Sequence, residues 1–512
     1  MSNLQDRLRA LGATALRNIR CGIEKESLRV RPDGGLAADP HPKGLGSALS
    51  HPHITTDFSE SQLELITGVH TGVEACLEEL TRIHQVVYRN IGDQMMWCAC
   101  MPCGLPADDA IPIGRYGSSN VGQAKSIYRM GLAHRYGRRM QTISGIHYNF
   151  SLPAIDDPNV AYFSLIRNFR RHSWLLLYLF GASPAVCASF VEGRKHELAE
   201  LKRGTMYRPG ATSLRMGPLG YQSDAQASLA VSYNCLDSYG ASLQDALTRP
   251  YPPYEAIGIR EPGAHGDEVE SYRQLATTLL QIENEFYGTI RPKRVIRQGE
   301  RPLHALRERG VEYVEVRLMD LNPFVPIGID AATIRLLDVF LLHCVLSDSP
   351  PDSPAEIAAN ARNQHRVAAR GRETGLRLER NGEEISLPEW GRQVLSGCAP
   401  IAEALDAAHG GAAYRDALSG ALSALDDAAP LPSSRVLKAM AEDNDSYVRF
   451  VLRQSREHLA AISGLGLPAA EEKRFAQMAE ASVEEQRRIE ASDSLPFEIF
   501  RQRYLSPERL GL

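Results

Sequence analysis

The chain has 512 residues, of which 43% are hydrophobic and 23% are charged, and 57 Lys and Arg against 62 Asp and Glu give it a formal net charge of −5. This composition is typical of a globular protein with a core of enzyme size. It argues against a dedicated nucleic-acid-binding protein, which is usually strongly basic. Near the N-terminus, Asp6, Arg7, Arg9 and Arg17 interrupt any apolar run that a secretory signal would need. We therefore predict a cytoplasmic protein whose partners are small molecules rather than nucleic acid or a membrane.

Two features of the sequence suggest a membrane span or a metal site but are better explained by packing. The stretch 174–191 is uncharged, yet its second half contains Gly181-Ala-Ser-Pro184, so we predict a buried helix followed by a turn. The nine cysteines have no regular spacing, which indicates reduced thiols. Cys98, Cys100 and Cys103 resemble a metal-binding knuckle, but no second pair of Cys or His follows at the required spacing, which favours core or structural thiols.

The first two thirds of the chain mix strands with helices, and the last third is helical. In chain order we predict strands over 21–29 and 57–64, a helix over about 73–91, strands over 140–152 and 311–317, and a helix over 331–346 capped by Asp330. A Pro- and Ser-rich stretch, 347–354, is the candidate boundary. Residues 1–346 would form an α+β region, and residues 347–512, with helices over about 388–507, would pack on it or belong to the same structural domain.

Each predicted strand alternates polar and apolar residues with period two, so its polar side chains share one face. Asp57 stands at the entrance of the second strand, and Gly145 in the third strand allows a ligand to approach closely. The residues that share a face are Glu24 and Glu26 in the first strand, Glu60, Gln62 and Glu64 in the second, Gln141, His147 and Asn149 in the third, and Glu315 and Arg317 in the fourth.

Taken singly, such a strand more often has a solvated face than a metal site. Together, these carboxylates and one imidazole form the hard ligand set that suits Mg²⁺ or Mn²⁺, and they would repel one another unless cations lay between them. Arg317 can either neutralise a transferring phosphoryl group beside that set or form a structural ion pair with Glu315. No G-x-x-x-x-G-K-[ST] loop is present, so metals and isolated basic residues would have to hold the phosphates of any ATP.

Several longer motifs follow one another between about residue 19 and residue 346. They are Gly22-Ile-Glu-Lys-Glu-Ser-Leu-Arg29, Ile54-Thr-Thr-Asp-Phe58, Met101-Pro-Cys103, Tyr116-Gly-Ser-Ser-Asn120, Met140-Gln-Thr-Ile-Ser-Gly-Ile-His-Tyr-Asn-Phe-Ser-Leu-Pro153, Thr212-Ser-Leu-Arg215, Gln281-Ile-Glu-Asn-Glu-Phe-Tyr287, Ile290-Arg-Pro-Lys-Arg294 and Glu312-Tyr-Val-Glu-Val-Arg317. In this order they resemble the bacterial type 1 glutamate–cysteine ligases, also called γ-glutamylcysteine synthetases. The C-terminal part resembles the family mainly in its helical texture.

The resemblance implies an α+β fold related to glutamine synthetase, in which a strongly curved antiparallel sheet forms a funnel surrounded by helices. It implies the first step of glutathione synthesis, which is the ATP-dependent ligation of the glutamate γ-carboxylate to the amine of L-cysteine through γ-glutamyl phosphate. ATP would be the co-substrate, and Mg²⁺ or Mn²⁺ the cofactor. It further implies a monomer that is open to feedback inhibition by glutathione.

The resemblance also implies two metal sites and a catalytic residue. Glu24, His147 and Glu315 would hold the metal that bridges the ATP phosphates, and a second set, Glu26, Asp57 and Glu64, would hold metal near the acceptor carboxylate. Arg317, beside Glu315 at the catalytic centre, would stabilise the γ-phosphoryl group during its transfer.

The same comparison indicates the substrate pockets. The pocket for the cysteine amine would be formed by Phe58, Tyr128, Leu132, Gln141 and Tyr221. Arg215 would clamp an amino-acid α-carboxylate, with Asn149 and Arg129 as further substrate-binding candidates, although Arg129 could equally be a solvated helix residue. Lys293 and Arg294 could contact the ATP phosphates or simply be exposed.

Other functions stay open on the sequence. A related carboxylate–amine ligase with another amine or acid would differ only in its pocket residues. A metal-dependent phosphoryl hydrolase would share the carboxylates but would need no amino-acid clamp. A binding or scaffold protein without enzymatic activity does not easily explain so many carboxylates on one face.

Overall fold

The computed structural model describes residues 4–202, 204–220, 224–227, 229–261, 271–297 and 299–511. The strands are β1 (Arg20–Val30), β2 (Ile54–Thr56), β3 (Gln62–Ile66), β4 (Met95–Met96), β5 (Ile146–Ser151), β6 (Ala185–Cys187), β7 (Ala199–Lys202), β8 (Thr205–Tyr207), β9 (Ile290–Lys293), β10 (Tyr313–Met319), β11 (Arg377–Arg380) and β12 (Glu383–Ser386).

The α-helices surround these strands and dominate the second half of the chain. They are α1 (Leu4–Arg17), α2 (Val73–Asn90), α3 (Asn120–Tyr136), α4 (Arg138–Gln141), α5 (Pro158–Phe180), α6 (Ala188–Val191), α7 (Asp224–Ala227), α8 (Leu236–Thr248), α9 (Pro252–Ile257), α10 (Pro302–Arg309), α11 (Ala331–Leu346), α12 (Pro354–Arg370), α13 (Leu387–His409), α14 (Ala413–Ala424), α15 (Pro432–Glu442), α16 (Tyr447–Gly464), α17 (Ala469–Ser492) and α18 (Phe497–Leu505).

The largest sheet is antiparallel throughout, with the strand order β2-β3-β1-β5-β10-β9 and with β4 paired to β1. It is the central sheet of the molecule and confirms the predicted α+β class. Glu24 lies opposite His147, Glu26 opposite Glu64, and Glu315 opposite Asn149. Directly opposed residues share a face of a sheet, so the strand register brings the predicted polar residues to one side. Among the described residues the sheet stays open, with β2 and β9 at its two edges.

The other face of the central sheet is apolar and covered by helices. Ile23, Tyr148, Phe150 and Val316 are fully buried there, and α5 packs against β9 and β10. These residues alternate with the polar residues along each strand. One face of the sheet therefore packs against the core, and the other carries the polar side chains.

The predicted helices are confirmed. Helix α2 covers the predicted 73–91 to within a residue, and α11 begins after Asp330, whose carboxylate accepts a hydrogen bond from the Thr333 amide at 2.8 Å. The uncharged stretch 174–191 is the end of α5 followed by a turn into β6, as predicted. No helix in the described parts of the chain is long and apolar enough to cross a membrane.

Two strand predictions are partly wrong. Residues 57–61 form the turn between β2 and β3, in which Ser59 Oγ accepts a hydrogen bond from the Ser61 amide, and β3 begins only at residue 62. Glu60 therefore does not share the strand face of Glu64. In the third segment, Gln141 ends the short helix α4, and the strand begins at residue 146. Gly145 lies in the segment between them, and a side chain there would collide with the guanidinium of Arg215.

The prediction of reduced thiols is wrong for two cysteines. Cys103 and Cys187 form a disulfide bond, with their Cα atoms 5.5 Å apart, and it joins the loop after β4 to the end of β6. The two cysteines are 84 positions apart in sequence, so their proximity could not be seen from their spacing. Cys98 and Cys100 are buried free thiols, as the packing interpretation predicts.

The helices after residue 347 pack along the first part of the chain. Helix α12 contacts α5, α13 contacts α1 and α11, and α16 and α17 contact α2. The hairpin of β11 and β12 interrupts the otherwise helical texture that the sequence predicts for this part.

The apolar face of the sheet also holds a buried acid that makes stability depend on pH. Tyr148 Oη donates a hydrogen bond to Asp338 Oδ1 at 2.6 Å, and burial raises the pKa of Asp338 from 3.8 to about 7. The folded state therefore favours the neutral acid, and this contribution to stability is lost as the pH rises from about 4 to about 7. We expect Asp338→Asn, which keeps an acceptor for Tyr148, to gain stability relative to the wild type across that range. Urea unfolding at a series of pH values measures the difference, and a constant difference would contradict the assignment.

Candidate active site

A group of carboxylates and one imidazole occupies the polar face of the central sheet. We call Glu24, Glu26, Glu64, His147 and Glu315 the acidic cluster. His147 Nδ1 lies 3.1 Å from Glu24 Oε2, and His147 Nε2 lies 3.8 Å from Glu26 Oε1. One ligand atom each of Glu24, Glu64 and His147 lie within 4.8 Å of one another. Glu24 and His147 belong to one predicted metal site and Glu64 to the other, so this group of ligand atoms combines residues of both predicted sites.

The carboxylates of the cluster on β1 and β3 lie close enough to disfavour one another's ionisation. Burial, together with the charges of Glu24 and Asp57, raises the pKa of Glu64 well above its usual value. Burial and Asp57 raise the pKa of Glu26 to about 8, although the Gly145 amide donates a hydrogen bond to it at 2.8 Å. Burial and neighbouring negative charge thus favour the protonated form of both acids.

Glu24 is the exception on this side of the cluster. Burial and the charge of Glu315 act to raise its pKa, but hydrogen bonding and charge from His147 leave it below its usual value. Asn149 Nδ2 also donates to Glu24 Oε1 at 3.0 Å. The donor set of two carboxylates and an imidazole within 4.8 Å fits a hard divalent cation, whose charge would remove the repulsion.

Toward the β9 edge of the same sheet face, Glu315 lies between two cations. Lys293 Nζ lies 3.1 Å from its Oε1, and Arg317 Nη1 lies 2.9 Å from its Oε2. Burial acts against ionisation, yet Lys293 and Arg317 hold the pKa of Glu315 well below its usual value. Glu315 is therefore ionised and fixes the Arg317 guanidinium beside the acidic cluster.

Only one of the two predicted phosphate-binding residues lies at this site. Lys293 points to Glu315, whereas Arg294 donates from Nη1 to the Arg309 carbonyl at 2.8 Å. A residue that the sequence reasoning missed, Arg291, is buried on the same face of β9, two residues before Lys293. The period of two along β9 is the signal that could have found it.

Arg215 is almost fully buried beside the catalytic candidates. Its Nη2 donates to the Arg317 carbonyl at 2.9 Å, and its Nη1 lies 3.5 Å from Asp320 Oδ1. Gly145 leaves the space into which the guanidinium fits. Because Arg215 is held in place beside the polar face of the sheet, its guanidinium is suited to bind a carboxylate.

A cavity of about 370 Å³ adjoins the acidic cluster. The sheet and the loops beside it contribute His147, Arg215, Arg317, Tyr233 and Tyr287, and the helices α5 and α12 contribute Arg170, Asn360, Gln364 and His365. The α12 residues could not be predicted from the sequence, because nothing in that helix resembles a site motif.

One of the predicted amine-pocket residues, Gln141, contacts Tyr287, which lines this cavity. Phe58 is buried in the turn after β2, and Tyr128 and Leu132 share one face of α3. Gln141 Nε2 donates to Tyr287 Oη at 2.9 Å, which adds Tyr287 as a pocket residue that sequence reasoning missed. Tyr221 lies outside the described residues.

Arg129 is not a solvated helix residue. Its Nε donates to the Asp57 carbonyl, and its guanidinium lies over the Tyr116 ring at 4.5 Å. It therefore joins α3 to the turn that carries Asp57 and Phe58.

Comparison with known proteins agrees with the sequence motifs. A family model described as glutamate-cysteine ligase matches residues 7–367. The chain is 46% identical to a glutamate–cysteine ligase of Alcanivorax borkumensis, over 97% of this chain and 98% of that protein, and 47% identical to one of Pseudomonas putida, over 97% of each.

Two solved structures are also similar. A crystal structure of a glutamate–cysteine ligase from Francisella tularensis in complex with AMP matches with a TM-score of 0.90 and 34% identity, over 95% of this chain and 97% of that chain. A bifunctional glutathione synthetase from Pasteurella multocida matches with a TM-score of 0.70 and 25% identity, over 90% of this chain and 55% of that one.

The repulsion within the acidic cluster predicts that Mg²⁺ stabilises the folded protein. A ligand at a hundred times its Kd contributes about 2.7 kcal/mol, so the melting temperature should rise by a few degrees with Mg²⁺ concentration. Glu64→Gln removes one ligand and a carboxyl group whose ionisation the folded state disfavours, so this variant should melt above the wild type without Mg²⁺ and should gain less from it. Differential scanning fluorimetry measures both effects.

Glu308→Gln is the matched control. Glu308 belongs to a second group of possible ligands with Glu300 and His304, but Arg309 already binds Glu300 at 2.7 Å. The control should respond to Mg²⁺ like the wild type. An equal response of wild type and Glu64→Gln would contradict the assignment of metal to the acidic cluster.

Proposed function

The chain belongs to the glutamate–cysteine ligase family, and we propose that the acidic cluster and the cavity beside it form its active site. The family reaction is the ATP-dependent ligation of the glutamate γ-carboxylate to the amine of L-cysteine, the first step of glutathione synthesis. One observation carries the assignment of the site. The acidic cluster, the fixed Arg317 and the buried Arg215 meet at one end of one sheet, where a metal–phosphate complex and an amino acid could lie side by side.

We interpret the central sheet as a funnel of the glutamine-synthetase type. Its polar face would form the inside, because the acidic cluster lies there while α5 covers the opposite face. We also propose that the helices after residue 347 belong to the same structural domain, since α12 contributes Asn360 and Gln364 to the wall of the cavity.

The residues of the acidic cluster, with Asp57, would hold Mg²⁺, or Mn²⁺ in its place. When bound, the metal would offset the negative charge of the ATP phosphates. Lys293, Arg291 and Arg317 would contact the phosphate oxygens from the β9–β10 side. The remainder of the nucleotide fits the cavity near Tyr233, and the AMP bound by the Francisella relative supports a nucleotide site in this fold.

The proposed chemistry follows from the weakness of a carboxylate as an acyl donor. Transfer of the ATP γ-phosphoryl group to the glutamate γ-carboxylate gives γ-glutamyl phosphate, and attack by the cysteine nitrogen then releases phosphate. Arg317, oriented by Glu315, would neutralise the equatorial oxygens during the first transfer. Arg215 would hold the glutamate α-carboxylate, and the pocket of Phe58, Leu132 and Gln141 would receive the cysteine.

The function is tested with purified protein, ATP, Mg²⁺, glutamate and a panel of amines, with ADP and the peptide product measured in parallel. We expect γ-glutamylcysteine as the main product. Glutamate without any amine should still support slow exchange of the β,γ-bridge oxygen of ATP into a non-bridging position. Preference for another amine would indicate a related ligase, and phosphate release without amino acids would indicate a phosphoryl hydrolase.

The role of Arg317 predicts a large loss in a variant that keeps its charge. Arg317→Lys cannot bond Glu315 and a phosphoryl group in the same planar geometry, so kcat should fall by more than about a hundredfold. Arg294→Lys is the control, because Arg294 points to the Arg309 carbonyl, and its kcat should stay near the wild-type value. Similar activity of both variants would refute the assignment of Arg317 to phosphoryl transfer.

A further inference from the structure

A single buried carboxylate lies behind the proposed amine pocket. Glu285 precedes β9 and is wholly buried, and its Oε1 accepts hydrogen bonds from Tyr136 Oη at 2.7 Å and from Arg135 Nη1 at 2.9 Å. Its Oε2 accepts one from the Gln281 amide at 2.7 Å. Because Arg135 and Tyr136 are the last residues of α3, the carboxylate ties that helix to the segment that leads into β9.

Helix α3 carries the first wall of the pocket. Tyr128, Leu132 and Tyr136 follow one another at intervals of four residues, so they share one face of the helix. Gln281 Nε2 also donates to the Tyr128 carbonyl at 3.3 Å. Any shift of Tyr136 relative to Glu285 would therefore move Tyr128 and Leu132 toward or away from the substrate.

The second wall is fixed by the same group of residues. Tyr287 lies two residues after Glu285, its ring meets the Tyr136 ring edge-on with centroids 5.6 Å apart, and its hydroxyl binds Gln141. Gln226 holds the backbone of both residues. Its Nε2 donates to the Glu285 carbonyl at 2.9 Å, and its Oε1 accepts from the Tyr287 backbone amide at 3.0 Å. Both walls of the pocket are thus held in position by contacts to one carboxylate, and this carboxylate does not line the cavity.

We infer that Glu285 and Tyr136 are positioning residues that set the width of the amine pocket and thereby its selectivity for a small amino-acid side chain. The inference rests on the proposed function, which assigns this pocket to the amine. Arg135 does not depend on Glu285 alone, because it also donates to Gln274 Oε1 at 3.0 and 2.9 Å and to the Ala276 carbonyl at 2.6 Å. Its charge therefore keeps polar partners when Glu285 is changed.

The test uses Tyr136→Phe and Glu285→Gln, which remove one hydroxyl and one charge without a change of size. We expect the KM for cysteine to rise about tenfold, the scale of one hydrogen bond to a charged group. Relative kcat/KM should increase along the series L-alanine, L-2-aminobutyrate, L-norvaline and L-norleucine. The KM values for glutamate and ATP should not change, nor should the oxygen exchange supported by glutamate alone.

The double variant adds a second criterion. If the hydroxyl of Tyr136 acts through Glu285, the double variant should have the cysteine KM of Glu285→Gln rather than the product of both effects. If Glu285→Gln does not fold, the cysteine KM of Tyr136→Phe decides the question alone.

Glu283→Gln is the matched control, since Glu283 lies in the same turn and forms a buried ion pair with Arg301 at 2.6 Å. Arg301 contacts the Tyr504 carbonyl and not the amine pocket, so this control should lower the melting temperature without changing the amine preference. A similar shift in amine preference in all variants would reveal a general structural effect and overturn the inference. An unchanged cysteine KM in Tyr136→Phe would also overturn it while the proposed function stands, whereas a wild type that does not ligate cysteine would refute the proposed function itself.

Discussion

Electrostatic repulsion among buried carboxylates on one face of the central sheet is the constraint on which the site depends. Burial disfavours the ionised form of both Glu64 and Glu315, yet the pKa values of these two acids shift in opposite directions. Glu64 has Glu24 and Asp57 as neighbours, whereas Glu315 has Lys293 and Arg317. The difference comes from neighbouring charge and not from burial, which acts on both acids in the same sense.

This difference follows the order of the strands. From β3 through β1 and β5 to β10 and β9, the polar face changes from acidic to basic, so a strong field runs across the sheet. A phosphate chain placed along that direction would have its cation on one side and guanidinium groups on the other. The fold thus holds opposite charges at the two ends of one sheet face, at the cost of holding like charges together.

The period of two along β1 and β10 was sufficient to predict that Glu24, Glu26, Glu315 and Arg317 face one side, because strand geometry is local. It failed for Gln141, which ends the short helix α4 five residues before β5 begins. Contacts distant in sequence were beyond such reasoning: the Cys103–Cys187 disulfide and the α12 wall of the cavity depend on tertiary packing. The family resemblance supplied the roles of residues such as Arg215, whose burial alone does not distinguish a clamp from a structural cation.

The contribution of α12 to the cavity has a consequence for the order in which the protein is made. All strands of the central sheet leave the ribosome before residue 354, but the cavity wall that α12 supplies is synthesised only afterwards. Pairing of β1 with β5 must already close a loop of more than a hundred residues, which favours late assembly of the sheet. The nascent chain therefore contains every strand of the central sheet before it contains the whole wall of the cavity, and the cavity can close only as the C-terminal helices dock.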